Sequence, residues 1–346
     1  MRRLGAAALL VSIGLACGGG SGSGDGQLAR IDTDTAENIA RAVVTALDLT
    51  ADLSTIGAEV TGGGVASAAS RAGANAMRVA LLGFVPLAAG SPIGPIAVEC
   101  ETDGTVTLTG TVTSPDTLTA GDRFTSVFDQ CKELDANGNV LTLDGQLDYT
   151  VVAFSGNLAE LFTLTLNLAF CGPNTSSACN QAFTVEEETV SNTRTFAVEG
   201  SARTVVDSTT PPLVKSSATG STLALTEPAP PDPIEASVAL RSFLTTLSQD
   251  DDKKTYELTG NGRLASTRFD EDPTTDDGEV RYNVTETLTG VTGNPPDAGI
   301  VLVTGSSSAM QIDPVDDTNV LLELDLDGNG TFDDATISTT WAALGL

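Results

Sequence analysis

Thr105-Val106-Thr107-Leu108-Thr109 is the stretch that decides the fold. Threonine alternates with an aliphatic residue. In an extended chain successive side chains point to opposite faces, so Val106 and Leu108 share one face and the threonines the other. Valine and threonine suit a pleated, half-buried surface. The same period-two pattern returns at Leu141-Thr142-Leu143, Leu147-Asp148-Tyr149, Leu161 to Leu168, Thr255 to Thr259, Val280 to Val284 and Val320 to Leu326. Turn-forming clusters lie between the runs: Pro115-Asp116, Ala120-Gly121-Asp122, Asp135-Ala136-Asn137-Gly138, Asp276-Asp277-Gly278 and Asp327-Gly328-Asn329-Gly330. No long helical pattern interrupts them. Consecutive strands with short turns pair antiparallel. The expected fold is mainly β, a large antiparallel meander of about twelve strands over residues 97–346. It would be built as a curved sheet, a sandwich or an open barrel-like body. Pro228 to Pro233 is the clearest break inside it, either a subdivision or a rigid crossover. One continuous body is the preferred reading, because the same strand style runs on both sides.

Residues 32–96 read as a helical and irregular segment. Asp34 is the expected cap of a helix, with Glu37 completing a capping box. Ile39, Ala40, Val43, Val44 and Leu47 then fall on one helical face. Thr50 to Gly57 is a second short helical stretch. Gly62 to Phe84 is alanine-rich and interrupted by Arg78, with glycines and prolines beyond it, so it does not read as a membrane span. Aromatic residues make up 4% of the chain, too few for the girdles of an outer-membrane barrel. Trp341 reads as a closure of the core.

The chain has 17 basic and 46 acidic residues, a formal charge of −29, and no histidine. The acidic surface repels nucleic-acid phosphates and anionic lipid heads, so no nucleic-acid partner is expected. The missing imidazole excludes Ser-His-Asp and Cys-His devices and histidine-ligated zinc or haem. No lysine sits in a Ser-x-x-Lys arrangement, and Lys253-Lys254 follow three aspartates in an expected hairpin tip. Acidic clusters at Glu186 to Glu188, Asp250 to Asp252 and Asp270 to Asp272 are read as solvated turns. A glycosidase pair needs a sugar-stacking cleft, and one tryptophan and three tyrosines do not furnish it. The expectation is therefore no catalytic residue and no enzyme activity.

Four cysteines follow Cys17, an even number that suits disulfides in an exported chain: Cys100, Cys131, Cys171 and Cys179. Of three connectivities, Cys100–Cys131 with Cys171–Cys179 is favoured. Four-thiolate metal binding lacks any Cys-x-x-Cys unit. A calcium ion is the one candidate ligand. Asp325, Asp327 and Asn329 place oxygens at alternate positions, Gly330 allows a sharp turn, the Thr331 carbonyl can bind, and Asp333 can act directly or through water. Thr336 stands where a bidentate glutamate would be expected, and strand-like flanks replace helices. Asp135 to Asn139 is a weaker version of the pattern.

At the N-terminus Arg2-Arg3 precede an apolar run, Leu4 to Ala16, too short to span a bilayer. Gly14-Leu15-Ala16-Cys17 resembles the lipobox of bacterial lipoproteins, with Gly14 where that family prefers leucine. The resemblance implies a signal peptide over 1–16, diacylglycerol on Cys17, and a Gly/Ser tether over 17–31. Gly18 in place of Asp resembles the pattern sent to the outer membrane. The helix after the tether, the Thr119-Ala120-Gly121-Asp122 turn before Phe128 to Cys131, and the ending Val320 to Trp341 resemble a group of proteobacterial lipoproteins with no assigned activity. The expected function is a non-catalytic envelope protein, held to the outer membrane by its lipid, with a structural or binding role. A carrier of an apolar ligand and a calcium-dependent adhesion module are the alternatives.

Overall fold

In a computed structural model of the chain, the described residues are 28–55, 92–114, 117–134, 140–156, 161–171, 183–188, 193–211, 213–227, 236–250, 252–266, 269 and 278–346. Fifteen strands among them form one antiparallel sheet. They are β1 (Pro92–Glu99), β2 (Asp103–Thr111), β3 (Arg123–Leu134), β4 (Val140–Gly156), β5 (Phe162–Cys171), β6 (Phe183–Glu188), β7 (Thr193–Thr210) and β8 (Leu213–Glu227). β9 (Ala236–Asp250), β10 (Thr255–Ser266), β11 (Glu279–Val291), β12 (Ala298–Thr304), β13 (Ala309–Pro314), β14 (Asn319–Asp325) and β15 (Ala335–Thr340) complete it. Order in space follows order in sequence, with one exception. β5 pairs the second half of β4 and β6 the first half, and both then pair β7. β5 and β6 thus occupy one lane between β4 and β7.

The chain has more strands than the sequence pattern predicts, and one of them is longer. Leu141 to Leu143 and Leu147 to Tyr149 both belong to β4, although Asp144-Gly145 between them resembles a turn. The register to β3 shifts there, between Phe128↔Gly145 and Cys131↔Leu143. Gln130 and Gly145 take positive φ at the shift, 47° and 136°. The local break is a bulge within the sheet. Across the proline segment, which lies outside the described residues, β8 and β9 pair from Leu213↔Asp250 to Glu227↔Ala236.

Alternation sorts the two faces as expected. Val106, Leu108, Phe124, Phe128, Leu147 and Tyr149 are buried, and they belong to one hydrophobic cluster running from Ala29 to Leu344. Each such aliphatic or aromatic side chain contributes about 1.5–3 kcal/mol on leaving water.

Helix α1 (Ala36–Thr55) merges the two helical stretches read from the sequence. Its cap also differs from expectation. Asp32, not Asp34, accepts the Thr35 N–H at 3.0 Å, and the Asp32 N–H donates back to Thr35 Oγ1 at 3.2 Å. Burial raises the Asp32 carboxyl, but hydrogen bonds from Thr35 and Asp34 outweigh it and hold the group below its ordinary range. Asp34 is the weaker cap because its amide is itself a donor to Asp32, at 3.1 Å.

The helix lies across the strands. Leu47 meets Gly260 of β10, Thr50 Oγ1 meets Thr245 Oγ1 of β9 at 2.7 Å, and Ser54 Oγ meets Ser216 Oγ of β8 at 2.9 Å. Three to four residues of helix rise about 5 Å, the spacing of neighbouring strands. A Cβ on Gly260 would come 3.0 Å from Leu47 Cδ2, so glycine leaves room for the close approach and a larger residue would make the Leu47 side chain shift. A short helix α2 (Trp341–Leu344) follows β15, and Arg41 of α1 donates to its Ala343 carbonyl at 2.8 and 3.1 Å. Trp341 is buried, and its Nε1 donates to the Pro296 and Asp316 carbonyls at 3.0 and 3.2 Å.

Cys100 and Cys131 form a disulfide, with Cα atoms 5.5 Å apart, tying the end of β1 to β3 across β2. Cys171 ends β5; its side chain and Cys179 lie outside the described residues.

Candidate metal centre

β14 and β15 pair in register from Asn319↔Thr340 to Leu324↔Ala335. The ten residues from Asp325 to Asp334 turn between them. Gly328 and Gly330 take φ of 71° and 85°, a region that side chains with Cβ resist, so the tight reversal draws on both glycines. The reversal points main-chain amides inward. Asn329 and Gly330 donate to the two Asp325 carboxylate oxygens at 3.0 and 2.9 Å, and Asn329 N–H also reaches Asp327 Oδ1 at 3.1 Å.

Carboxylate oxygens of Asp325, Asp327 and Asp334 all lie within 4.8 Å of one another. Asp325 is 2% exposed, and the other two are open to solvent. Two unit charges at about 4 Å repel by about 1 kcal/mol in water and about 4 kcal/mol at the effective dielectric of a protein surface. A divalent cation would convert three such repulsions into attractions. Among the described residues, the ion pairs join Arg241 and Arg263 to Glu279, and Lys253 to Asp250, and none reaches this loop. Oxygen donors of this kind suit a hard cation such as calcium.

The five residues read from the sequence separate into two groups. Asp325 and Asp327 converge. Asn329 turns its Oδ1 to Thr331, accepting the N–H at 2.7 Å with Thr331 Oγ1 at 2.5 Å. Asp333 Oδ1 faces Thr331 Oγ1 at 2.9 Å and is outside the converging group. Asp334 takes the place given to Asp333. Its Oδ2 accepts the Leu326 N–H at 2.7 Å, and its own N–H donates to the Leu324 carbonyl at 3.2 Å. Strand flanks explain the exchange. Pairing with Leu324 fixes Asp334 against the outgoing leg, whereas a loop between helices has no such partner. Thr336 is exposed and pairs across to Glu323.

Of the other acidic clusters, the one at Asp250 lies at a hairpin tip as expected, whereas Glu186 to Glu188 are not a turn but part of strand β6, paired to β4 and β7. Asp250 Oδ2 binds Lys253 Nζ at 2.7 Å at the β9–β10 tip, and that hydrogen bond holds the Asp250 carboxyl below its ordinary range. Glu186 is exposed on β6. Asp270 to Asp272, Asp135 to Asn139, Pro115-Asp116, Asp276-Asp277, the 56–91 segment and Cys17 with its tether lie outside the described residues, as does the signal peptide. Burial raises the hydroxyls of Tyr256 and Tyr282 well above the ordinary phenol range, so neither is poised as a base at neutral pH. No helix among the described residues is long and apolar enough to cross a membrane; that says nothing about strands.

No family model, curated protein or solved structure matches the chain.

Proposed function

We propose that this chain is a non-catalytic envelope protein, anchored to the outer membrane through acylated Cys17, whose terminal β-hairpin takes up calcium. The observation that carries the calcium reading is the convergence of Asp325, Asp327 and Asp334 within 4.8 Å at the mouth of a hairpin, with no basic residue among the described residues paired to them. The envelope reading rests on the lipobox-like Gly14 to Cys17, the Gly/Ser stretch after it and the Cys100–Cys131 disulfide, a bond that persists in oxidising compartments. The absence of histidine supports the non-catalytic part. An apolar-ligand carrier is the weaker reading, because Leu47, Thr50 and Ser54 of α1 cover the buried face of β8 to β10.

Calcium at 10 mM is expected to raise the stability of the purified protein by about 1.4–2.7 kcal/mol, taking dissociation constants near 10⁻⁴–10⁻³ M as for extracellular modules. The corresponding rise in Tm is a few degrees. Asp327→Ala and Asp334→Ala should each abolish the rise, and Asp333→Ala should leave most of it. A thermal scan with no response to calcium, or a response lost equally in all three variants, removes the calcium reading. The anchor has its own check. Intact-mass analysis of the protein recovered from membranes should find Cys17 as the acylated N-terminus, and Cys17→Ser should release the protein to the soluble fraction.

A further inference from the structure

β15 closes one edge of the sheet and pairs only β14 among the described residues. Main-chain bonds near its ends show which of its residues point away from β14. Val315 N–H donates to the Asn319 carbonyl at 2.9 Å, so Asn319 turns its main-chain groups toward β13. Trp341 N–H donates to the Thr318 carbonyl at 3.0 Å, so Thr318 and Trp341 face each other. Bonded and unbonded pairs alternate along an antiparallel ladder. Val320↔Thr339, Leu322↔Ile337 and Leu324↔Ala335 are therefore the bonded pairs. Thr336, Ser338 and Thr340 aim their main-chain groups out of the sheet edge. Among the described residues, no hydrogen bond reaches the N–H groups of these three or the carbonyls of Thr336 and Ser338.

The two edges of the sheet are guarded differently. β1 carries Pro92 and Pro95, which lack an N–H, and its register slips between Ile93 and Ile96. β15 is Ala-Thr-Ile-Ser-Thr-Thr, with no charge and no proline, and its register to β14 runs unbroken. A second copy of β15 fits this edge, antiparallel about a two-fold axis. New bonded pairs must join outward-pointing residues of both copies. The register that uses all three sets Ser338 opposite Ser338 and Thr336 opposite Thr340, for about six main-chain bonds. Charge agrees with it. Beyond the ladder, Asp333-Asp334 of each copy pass α2 of the other, where the Arg41 guanidinium sits 2.8 and 3.1 Å from the Ala343 carbonyl. No ion pair among the described residues involves Arg41. Glu323, across from Thr336 on β14, is set three strand spacings from its own copy, about 14 Å, beyond the screening length of about 8 Å.

We infer that two copies of this chain pair edge to edge through β15, with Ser338 opposite Ser338, and so join their sheets into one. A two-fold contact uses the same edge on both copies and closes on itself. The prolines and register slip of β1 keep the outer edges from adding further chains, so assembly stops at two. Neither the calcium reading nor the acylation of Cys17 enters the argument.

Ser338 and Thr336 are both exposed, so each accepts a cysteine. In the paired edge the two Ser338 Cα atoms stand about 5.5 Å apart, within disulfide reach, whereas the two Thr336 stand about 14 Å apart. Ser338→Cys and Thr336→Cys are oxidised with copper phenanthroline in the full chain, beside the wild type, whose own five cysteines set the background. Ser338→Cys should give at least about ten-fold more crosslinked dimer than Thr336→Cys, with the 338–338 linkage identified by peptide mass. Equal crosslinking at the two positions, or none above background at 338, overturns the pairing. Sedimentation in excess detergent micelles checks it without new thiols. The wild-type mass should rise toward two chains as protein concentration rises. Ser338→Pro removes an outward N–H and no bond to β14, so it should stay at one chain with the wild-type Tm. A wild type that remains at one chain up to near-millimolar concentration, or a proline variant that dimerises equally, overturns the inference.

Discussion

A chain carrying both Cys100→Ala and Cys131→Ala is expected to lose between 3 and 4 kcal/mol of stability, about the loop-entropy value for a bridge closing some thirty residues. The sequence separation is 31 residues, and the bridge spans the whole of β2 from the end of β1 to the middle of β3. β1 is an edge strand that pairs only β2 among the described residues. Its register slips between Ile93 and Ile96. An edge held on one side only, with its pairing interrupted, has little else to resist fraying. The loss should therefore appear first as exposure of β1 and β2, in hydrogen exchange or limited proteolysis, and then as a lower denaturant midpoint. Substitution is a cleaner test than a reducing agent, which would also act on Cys171 and Cys179. Alanine is preferred to serine at position 131 because Cys131 is completely buried, where a hydroxyl is costlier to desolvate than a methyl group. A change below about 1 kcal/mol would mean that the pairing of β1 with β2 holds this edge without help from the bridge.

The legible and illegible parts of the chain divide for one physical reason. β2, β10, β11 and β14 were readable because large aliphatic residues alternate with polar ones along them. β7 to β9 carry the same alternation in weaker form. Their buried positions include Ala202, Thr204, Ser216, Ala218 and Thr245, small residues with little hydropathy contrast to their neighbours. Those sizes suit α1 lying across the sheet, as the Thr50–Thr245 and Ser54–Ser216 contacts show. A long-range contact thus selected residues that erase the local signal. Leu141 to Leu143 and Leu147 to Tyr149 read as two runs and are one strand, because the bulge at Asp144-Gly145 interrupts the alternation without ending the strand. In the candidate centre, Asp325 and Asp327 were legible from alternate spacing alone. Asp334 was not, because its place comes from the pairing of β15 with β14, and a spacing rule for loops between helices assigns Asp333 instead. The cap at Asp32 was missed for a smaller reason. Asp32 and Asp34 are equally good residues by type, and the choice is seen only in the structure, where the Asp32 carboxylate accepts the Asp34 and Thr35 amides.

Asp122→Ala should cost about 3 kcal/mol. Asp122 is 1% exposed in the turn between β2 and β3. Its Oδ1 accepts the Thr113 N–H at 2.7 Å and the hydroxyls of Thr113 and Thr119 at 2.5 and 3.0 Å, and its Oδ2 accepts the Thr119 N–H at 2.8 Å. The main chain adds further ties. Asp122 N–H donates to the Thr119 carbonyl at 3.1 Å, Val151 N–H to the Asp122 carbonyl at 2.9 Å, and Gly121 N–H to the Val151 carbonyl at 2.8 Å. One carboxylate therefore gathers both ends of the β2–β3 connection, and main-chain bonds of Gly121 and Asp122 hold it to β4. Alanine strands two amides and two hydroxyls, although water reaches part of the site, since Thr113 is exposed and Thr119 half-buried. Each orphaned buried donor costs about 1–3 kcal/mol, reduced where a hydroxyl can rotate to another acceptor. Asp122→Asn separates charge from shape. It keeps one acceptor oxygen but turns an NH₂ group toward a donor, so about half the loss should remain. Equilibrium unfolding of the two variants beside the wild type decides the matter. If alanine and asparagine both cost under 1 kcal/mol, the turn is held by its main-chain bonds to Thr119 and Val151, and the carboxylate is not its organising group.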